Sequence, residues 1–177
     1  MQAQQDPQAF IAAGIGLTGS EGQANWQLDR NANLLAGYRI LPGLLAIAYF
    51  DFNSFHYQGF HNDIHSSGNY KLSSFLVGGK ATVAIPGKAI SPYFLGVVGI
   101  SRATPAQDSV FSIRQTGTIV SHDISGSTTT FLGAAGCDIS IYKGFFVFGE
   151  IRASGGSNTH IYDILVIFRA GIGFAHY

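Results

Sequence analysis

Charged side chains are scarce in this sequence. Only 11% of the 177 residues are Asp, Glu, Lys or Arg, while 46% are hydrophobic and 13% are aromatic. Folded soluble domains usually carry about a quarter of charged residues. The formal net charge is zero, so the chain lacks the cationic excess that nucleic-acid binding requires. The composition therefore favours a protein solvated partly by lipid and excludes nucleic acid as a partner.

Long hydrophobic runs are also missing. The longest stretches free of Asp, Glu, Lys and Arg have 14 residues each, Pro7–Ser20 and Ile124–Cys137, and both contain Gly, Ser or Thr. A helix that spans a bilayer needs about 20 apolar residues. If the chain crosses a membrane, it must do so as a closed β-barrel, because lipid offers no hydrogen-bond partner to an open sheet edge.

Cysteine is nearly absent, and so is a recognisable leader. Cys137 is alone, which excludes an internal disulfide. Met1 is followed directly by the polar run QAQQDPQ, without a charged and then apolar segment, so we expect that a signal peptide has been removed. We expect residues 1–8 to form an N-terminal tail and residues 9–177 a single transmembrane β-barrel domain. No motif in the chain predicts a cofactor.

Apolar residues recur with a period of two, which is the period of β-strands. No segment has the period of a helix. The alternation predicts eight strands, at Ala9–Leu17, Asn33–Leu41, Leu44–Phe55, Tyr70–Ile85, Ile90–Arg102, Thr130–Tyr142, Phe145–Ser154 and Asp163–Ala175.

Short and long connections alternate strictly between these strands. The turns LPGL, PGKA and YKGF contain the Pro and Gly that tight turns use. The other connections are long, and the longest is Ala103–Ser127. This regularity predicts an all-β, eight-stranded antiparallel up-and-down transmembrane β-barrel with short periplasmic turns and long extracellular loops.

Nearly every charge in a predicted strand lies on the face opposite the apolar row. That face is otherwise rich in Gly, Ser, Thr and Ala, which suits the narrow interior of eight strands. Because a buried charge is costly unless it is paired, we predict that the charges form an ion-pair network that plugs the lumen. A polar conduction path or a catalytic constellation is the alternative use of the same residues. The network comprises Arg39, Asp51, Lys80, Asp138, Glu150, Arg152 and Arg169.

Two other functional classes remain open from the residues alone. A narrow pore for ions or small solutes would use the polar face as its wall. A soluble lipocalin-like ligand-binding barrel would invert the faces and place Phe50, Phe75 and Phe174 inside.

Several stretches, taken in order, resemble a known family. LLAGYRILPGLLAIAYFDF, SPYFLGVVGISRA, FLGAAGCDISIYKGFFVFGEIRAS and FRAGIGF are similar to the outer-membrane protein beta-barrel domain of Gram-negative bacteria, the group of small OmpA-like and OmpX-like barrels. The resemblance covers essentially the whole chain. It implies a location in the bacterial outer membrane, in contact with lipid and lipopolysaccharide.

The resemblance also implies a role for the C-terminal strand. In this family that strand closes the barrel and carries the signal for the insertion machinery. The residues that would do so here are Phe168, Ile172, Phe174 and Tyr177, although Tyr177 falls out of register with the other three.

The histidines of the predicted loops offer weak candidates for chemistry. His56, His61 and His65 could share a metal ion, but their spacing matches no metal motif. His65 and Ser67 faintly resemble the His-x-Ser pair of barrel enzymes that deacylate lipid A. We predict no enzyme activity.

The long connection contains two alternating runs around Gln115–Gly117. We expect them to extend the fifth and sixth predicted strands above the membrane as a hairpin. Ser109–Ser121 would then offer an edge to a protein partner through β-augmentation. The sequence therefore predicts a non-enzymatic surface structural or interaction protein, or an accessory subunit of a larger outer-membrane complex.

Overall fold

A computed structural model of the chain describes residues 7–20, 29–61, 64–83, 85, 88–105, 110–113, 126–156 and 164–177. No described segment is a helix long and apolar enough to cross a membrane. The described residues form nine strands: β1 (Ala9–Ser20), β2 (Asp29–Leu41), β3 (Leu44–His61), β4 (Ile64–Thr82), β5 (Ile90–Pro105), β6 (Val110–Ile113), β7 (Gly126–Tyr142), β8 (Phe145–Gly156) and β9 (Ile164–His176).

Eight of these strands close into an antiparallel barrel. Each strand pairs with its neighbour along the chain, and β9 returns to pair with β1, as in Phe10 opposite Ala175. The short β6 lies outside this cycle and continues β5 along the edge of β4, with Val110 opposite Ser67. The predicted fold class is thus confirmed, and the last strand pairs with the first.

The strands are longer at the loop end than the alternation predicted. The stretch around His61 was expected to be a long connection, but β3 and β4 pair continuously up to His61 opposite Ile64. The sequence signal ended early because the apolar residues that alternate within the bilayer are not needed above it. Backbone pairing continues there without them.

The two faces of the barrel wall differ as the charge pattern predicted. Outward positions form an apolar belt that includes Ile15, Phe94 and Ile172, at 74%, 66% and 68% exposure. Phe50, Phe75 and Phe174 are also exposed, so the inverted, lipocalin-like arrangement is wrong. An exposed apolar belt around closed strands is the lipid-facing surface of a membrane barrel.

Two of the three predicted short connections are seen as tight turns. Gly43 and Gly144 have φ values of 75° and 90°, which favour glycine over any residue with a Cβ. A Cβ on Gly144 would also press against the carbonyl oxygen of Ala175, 2.5 Å away. These turns fix the registers of the β2–β3 and β7–β8 hairpins.

Candidate functional site

The lumen is filled by side chains from every strand of the barrel. Its turn-side half is largely apolar and aromatic, whereas the sequence predicted mostly small residues beside the charges. That expectation was wrong because the inward-facing positions of one strand carry different residues along its length. Near one end of the strand such a position has a charged side chain, and near the other end it has Leu, Ile or Phe. The apolar cluster includes Phe10, Leu35, Leu45, Ile47, Leu76, Leu95, Leu132, Phe146 and Phe148.

The loop-side half contains a buried ion pair held by amides. Arg152 Nη2 donates to both carboxylate oxygens of Asp51, at 3.0 and 2.9 Å. Asn31 Nδ2 donates to Asp51 Oδ1 at 2.7 Å, and Asn53 Nδ2 donates to Asp51 Oδ2 at 2.8 Å. The carboxylate therefore accepts bonds from three side chains, which offsets the cost of removing it from water.

Tyr49 links this pair to a second one. Its hydroxyl accepts hydrogen bonds from both Arg152 and Arg169. Arg169 Nη2 lies 2.6 Å from Glu150 Oε1, and these two residues are directly opposite each other on β9 and β8. Tyr93 donates its hydroxyl proton to Glu150 Oε2 at 2.7 Å. Two tyrosines and two ion pairs thus form one connected cluster.

A third ion pair lies at the turn side among aromatic rings. Lys80 Nζ is 2.6 Å from Asp138 Oδ2 and 3.8 Å from the centre of the Tyr93 ring. The rings of Phe10 and Phe146 are 5.0 and 5.9 Å from the same ammonium. The ring faces add cation–π attraction to the single carboxylate contact.

The three ion pairs span different distances around the barrel, and one of them crosses the lumen. In the barrel cycle β3 and β8 are four strands apart in both directions, so the Asp51–Arg152 pair spans the diameter. Lys80 and Asp138 reach across β5, which separates their strands. Side chains of an eight-stranded barrel are long enough to meet across its interior. The Asp51–Arg152 pair therefore braces opposite walls, whereas the Glu150–Arg169 pair links adjacent strands.

A row of hydroxyls completes the loop-side half. Ser101 Oγ lies 2.6 Å from Ser74 Oγ and 2.5 Å from Thr130 Oγ1. The three residues come from the adjacent strands β4, β5 and β7, and each is buried. This row joins neighbouring strands on the side that the Asp51–Arg152 pair does not contact.

Six of the seven predicted network residues form the three ion pairs described above. Arg39 is the seventh; it is half-buried near the turn-side end of β2 and is not part of the three pairs among described side chains. The sequence interpretation missed the two tyrosines and two asparagines that join the pairs. The alternation of each strand does place these four residues on the inward face, as it does Asp51. It does not indicate which strand across the lumen each side chain contacts.

The other predicted sites are only partly described. Phe168, Ile172 and Phe174 lie on the outward row of β9, and Tyr177 follows the strand, half exposed. The insertion signal that we assigned to these four residues stays a prediction.

The predicted loop sites have backbone positions only. His56, His61, His65 and Ser67 lie in β3 and β4, and their side chains lie outside the described residues. Of Ser109–Ser121, the structure describes only β6, whose backbone pairs with β4, and the expected hairpin stays a prediction because the remainder lies outside the described residues.

Comparisons with known proteins identify the fold. No family model matches, and no curated protein matches. Among solved structures, Neisserial surface protein A is similar over 99% of both chains, with 14% identity and a TM-score of 0.70. Ail, the attachment invasion locus protein of Yersinia pestis, was solved with a heparin analogue, sucrose octasulfate. It covers 94% of this chain and 98% of its own, with 17% identity and a TM-score of 0.57.

A barrel enzyme also shares the fold. The outer membrane enzyme PagL covers 94% of this chain and 99% of its own, with 14% identity and a TM-score of 0.50. The chain therefore has the fold of the small eight-stranded outer-membrane barrels. Together with the lipid-facing belt, this makes it an integral β-barrel of the bacterial outer membrane.

Proposed function

We propose that this protein is a non-conducting, non-enzymatic barrel that acts at the cell surface as a structural or interaction protein, alone or as an accessory subunit of a larger complex. The observation that carries the proposal is the brace across the lumen. Asp51 and Arg152 join opposite walls, and Tyr49 ties both to Arg169.

Two further features support a closed lumen. Below the brace, the rings of Phe10, Phe146 and Phe148 occupy the interior, with centroid separations of 6.1 and 6.5 Å along this series. Close packing of these rings leaves less space for a continuous chain of water along this half of the lumen. The buried acidic side chains are each paired with a cation of the barrel itself, which supports a structural role for these charges.

Planar bilayer recording tests the closed lumen directly. We expect the refolded protein to show no conductance steps. The combined variant Asp51→Ser/Arg152→Ser/Phe146→Ser should introduce steps, because it removes both halves of the brace and the central ring of the cluster below it, and leaves no unpaired charge. Lys88→Ser, at an exposed turn, should stay silent like the parent chain. Steps in the parent protein would contradict the proposal.

Mild detergent extraction of native membranes tests whether the protein works alone. Sizing would separate a single species near 18.8 kDa plus its micelle from a larger defined complex. The first result supports a stand-alone surface protein and the second an accessory subunit. In either case, an interaction role predicts at least one reproducible protein partner. That partner would bind the stand-alone protein at the cell surface or belong to the larger complex.

A narrow pore is the second candidate, and one observation favours it. Polar contacts run through most of the lumen, from Asn53 through Asp51, Arg152, Tyr49 and Arg169 to Glu150 and Tyr93, with Lys80 against the Tyr93 ring. The bilayer experiment decides between the two candidates. An enzyme role would instead be revealed by altered lipid A after overexpression, and we expect lipid A to be unchanged.

A further inference from the structure

On three strands the outward side chains change from apolar to cationic toward the loop end. On β2 the outward row passes from Leu34 and Ala32 to Arg30. On β4 it passes from Phe75 through Ser73 to Lys71, and on β5 from Ile100 to Arg102. All three cations are exposed, and each stands where the apolar belt ends. They therefore lie at the level where lipid headgroups begin.

The three cations are close enough to act on one ligand. Lys71 on β4 is directly opposite Ser54 on β3. On the other side of β3 lies β2, where Arg30 is next in sequence to Asn31, the residue opposite Asn53. Strands lie about 4.8 Å apart, which puts these two cations about 10 Å from each other. Lys71 is opposite Thr104, so Arg102 is its diagonal neighbour across β4 and β5, at about 7–8 Å.

An apolar groove lies on the bilayer side of these cations. Its volume is about 1030 Å³, and its lining includes Arg30 and Lys71 together with the exposed Leu17, Phe52 and Phe168. Ala32, Ala170 and Ser73 form a floor of small side chains between those larger ones. The groove is thus cationic at one end and apolar along the rest of its length. This arrangement complements a lipid with an anionic headgroup and an apolar acyl chain.

Among the side chains that the structure describes, acidic groups and these three cations lie on different faces of the wall. The three acidic side chains that the structure describes, Asp51, Asp138 and Glu150, all point into the lumen and are paired there. At the loop ends of β1, β7, β8 and β9, the described outward side chains carry no charge. Among the described side chains at the loop end, the outward cations therefore lie on β2, β4 and β5.

We infer that Arg30, Lys71 and Arg102, with the adjoining groove, form a binding site for a phosphorylated lipid of the outer leaflet. The guanidinium and ammonium groups hold the phosphates, and an acyl chain lies over Ala32 and Ser73. Arginine matches phosphate oxygens with two parallel donors, and lysine adds a point charge. Three cations spread over four strands suit a headgroup that carries more than one phosphate. The site goes beyond the proposed function and does not depend on a closed lumen.

Native mass spectrometry of the detergent-solubilised protein tests this site. The probe is bis-phosphorylated lipid A, compared with the same lipid after removal of its phosphates and with inorganic pyrophosphate. We expect one tightly held lipid A per barrel, weak retention of the dephosphorylated lipid, and no retention of pyrophosphate. Equal binding of both lipids would overturn the inference, and so would pyrophosphate binding as strong as that of lipid A, since the site would then recognise a free anion.

Matched variants locate the site. Lys71→Gln should weaken lipid A binding about fivefold, and the triple variant Arg30→Gln/Lys71→Gln/Arg102→Gln about a hundredfold. Lys88→Gln makes the same charge change at a turn on the opposite end and should leave binding unchanged. If Lys88→Gln weakens binding as much as Lys71→Gln, the attraction is general and the site is disproved.

A second pair of variants tests the groove. Ala32→Leu fills its floor without changing charge and should lower the retention of lipid A severalfold. Ala36→Leu places the same side chain on the outward row of the same strand, outside the groove lining, and should not. Each variant is first checked for the parent's resistance to unfolding in cold sodium dodecyl sulfate, so that loss of binding is not loss of fold. Equal retention by the two leucine variants would contradict the placement of the acyl chain.

Discussion

The two halves of the lumen hold buried charges in different surroundings. At the loop side, Asp51 is bonded to Arg152 and to the amides of Asn31 and Asn53. At the turn side, Lys80 has one carboxylate, Asp138, and aromatic rings for its other neighbours. The loop-side half stabilises its buried charges with several hydrogen bonds. The turn-side half stabilises its ammonium with one carboxylate and with the faces of aromatic rings.

The difference shows that the barrel interior is built like a soluble core at one end and like a polar network at the other. Loss of one member of the network leaves several donors or acceptors unsatisfied in a dry site. Loss of a member of the aromatic half leaves mainly a packing defect and a partly exposed carboxylate, since the Asp138 side chain is 18% exposed. The loop-side half should therefore be the more sensitive to single substitutions.

The largest effect should come from Arg152→Ala. The change leaves Asp51 buried without its cation and removes a donor to Tyr49. Removal of one partner of a buried ion pair costs about 3–5 kcal/mol in the free energy of unfolding. Urea unfolding in lipid vesicles measures it, with Lys88→Ala as an exposed control. A loss below about 1 kcal/mol would mean that the network contributes no more than a surface ion pair.

Lys80→Met should have a smaller effect, of about 2 kcal/mol, because the methionine retains the packing of the lysine stem against the rings and Asp138 keeps some contact with water. A double-mutant cycle with Asp138→Asn separates the ion pair from the packing. A cycle energy near zero would show that the rings, and not the carboxylate, hold the ammonium in place.

Gly173→Ala tests the packing of the aromatic half without touching a charge. A Cβ at this position would overlap the Phe146 ring, which is itself held between Phe10 and Phe148. We expect a loss of about 1–3 kcal/mol in unfolding free energy, from overpacking. Gly133→Ala is the control, since a Cβ there meets nothing within 4 Å. Equal stability of the two variants would indicate that the rings shift freely.

The smallest effect should come from Ser101→Ala in the loop-side half. It removes the contacts to Ser74 and Thr130, but these two hydroxyls can turn toward other acceptors. A net loss of about 1 kcal/mol is expected for such neutral hydrogen bonds. Ser54→Ala, on the outward face, should be neutral in the same unfolding assay. A loss as large as that of Arg152→Ala would place the hydroxyl row at the centre of the network.

The sequence predicted the barrel itself from particular residues. Alternation around Tyr38, Phe94 and Ile172 assigned the outward face, and the charges at Asp51 and Arg152 assigned the inward one. Both assignments hold because a strand shows its two faces in consecutive residues. The same pattern did not predict the upper parts of β3 and β4, because above the bilayer the backbone still pairs while the side chains no longer alternate.

The partners of the lumen residues could not be predicted. Asp51 and Arg152 are 101 positions apart, and Lys80 and Asp138 are 58 apart. The register of a hairpin fixes only which residues of adjacent strands are opposite each other. These contacts join strands that are not adjacent, so they depend on the diameter of the closed barrel and on the side chains that fill its interior. For the same reason, the cations Arg30, Lys71 and Arg102 are scattered in the sequence and form a cluster only on the closed surface.

The sequence by itself determined that this chain is a transmembrane barrel, since the period of two, the scarcity of charge and the alternating connections are all local. The tertiary structure alone decided which charges pair inside the lumen, that aromatic rings pack in its lower half, and that Arg30 and Lys71 line one groove with Arg102 close to Lys71. Closure of the sheet sets the distances across the barrel and around its rim. No local pattern contains those distances.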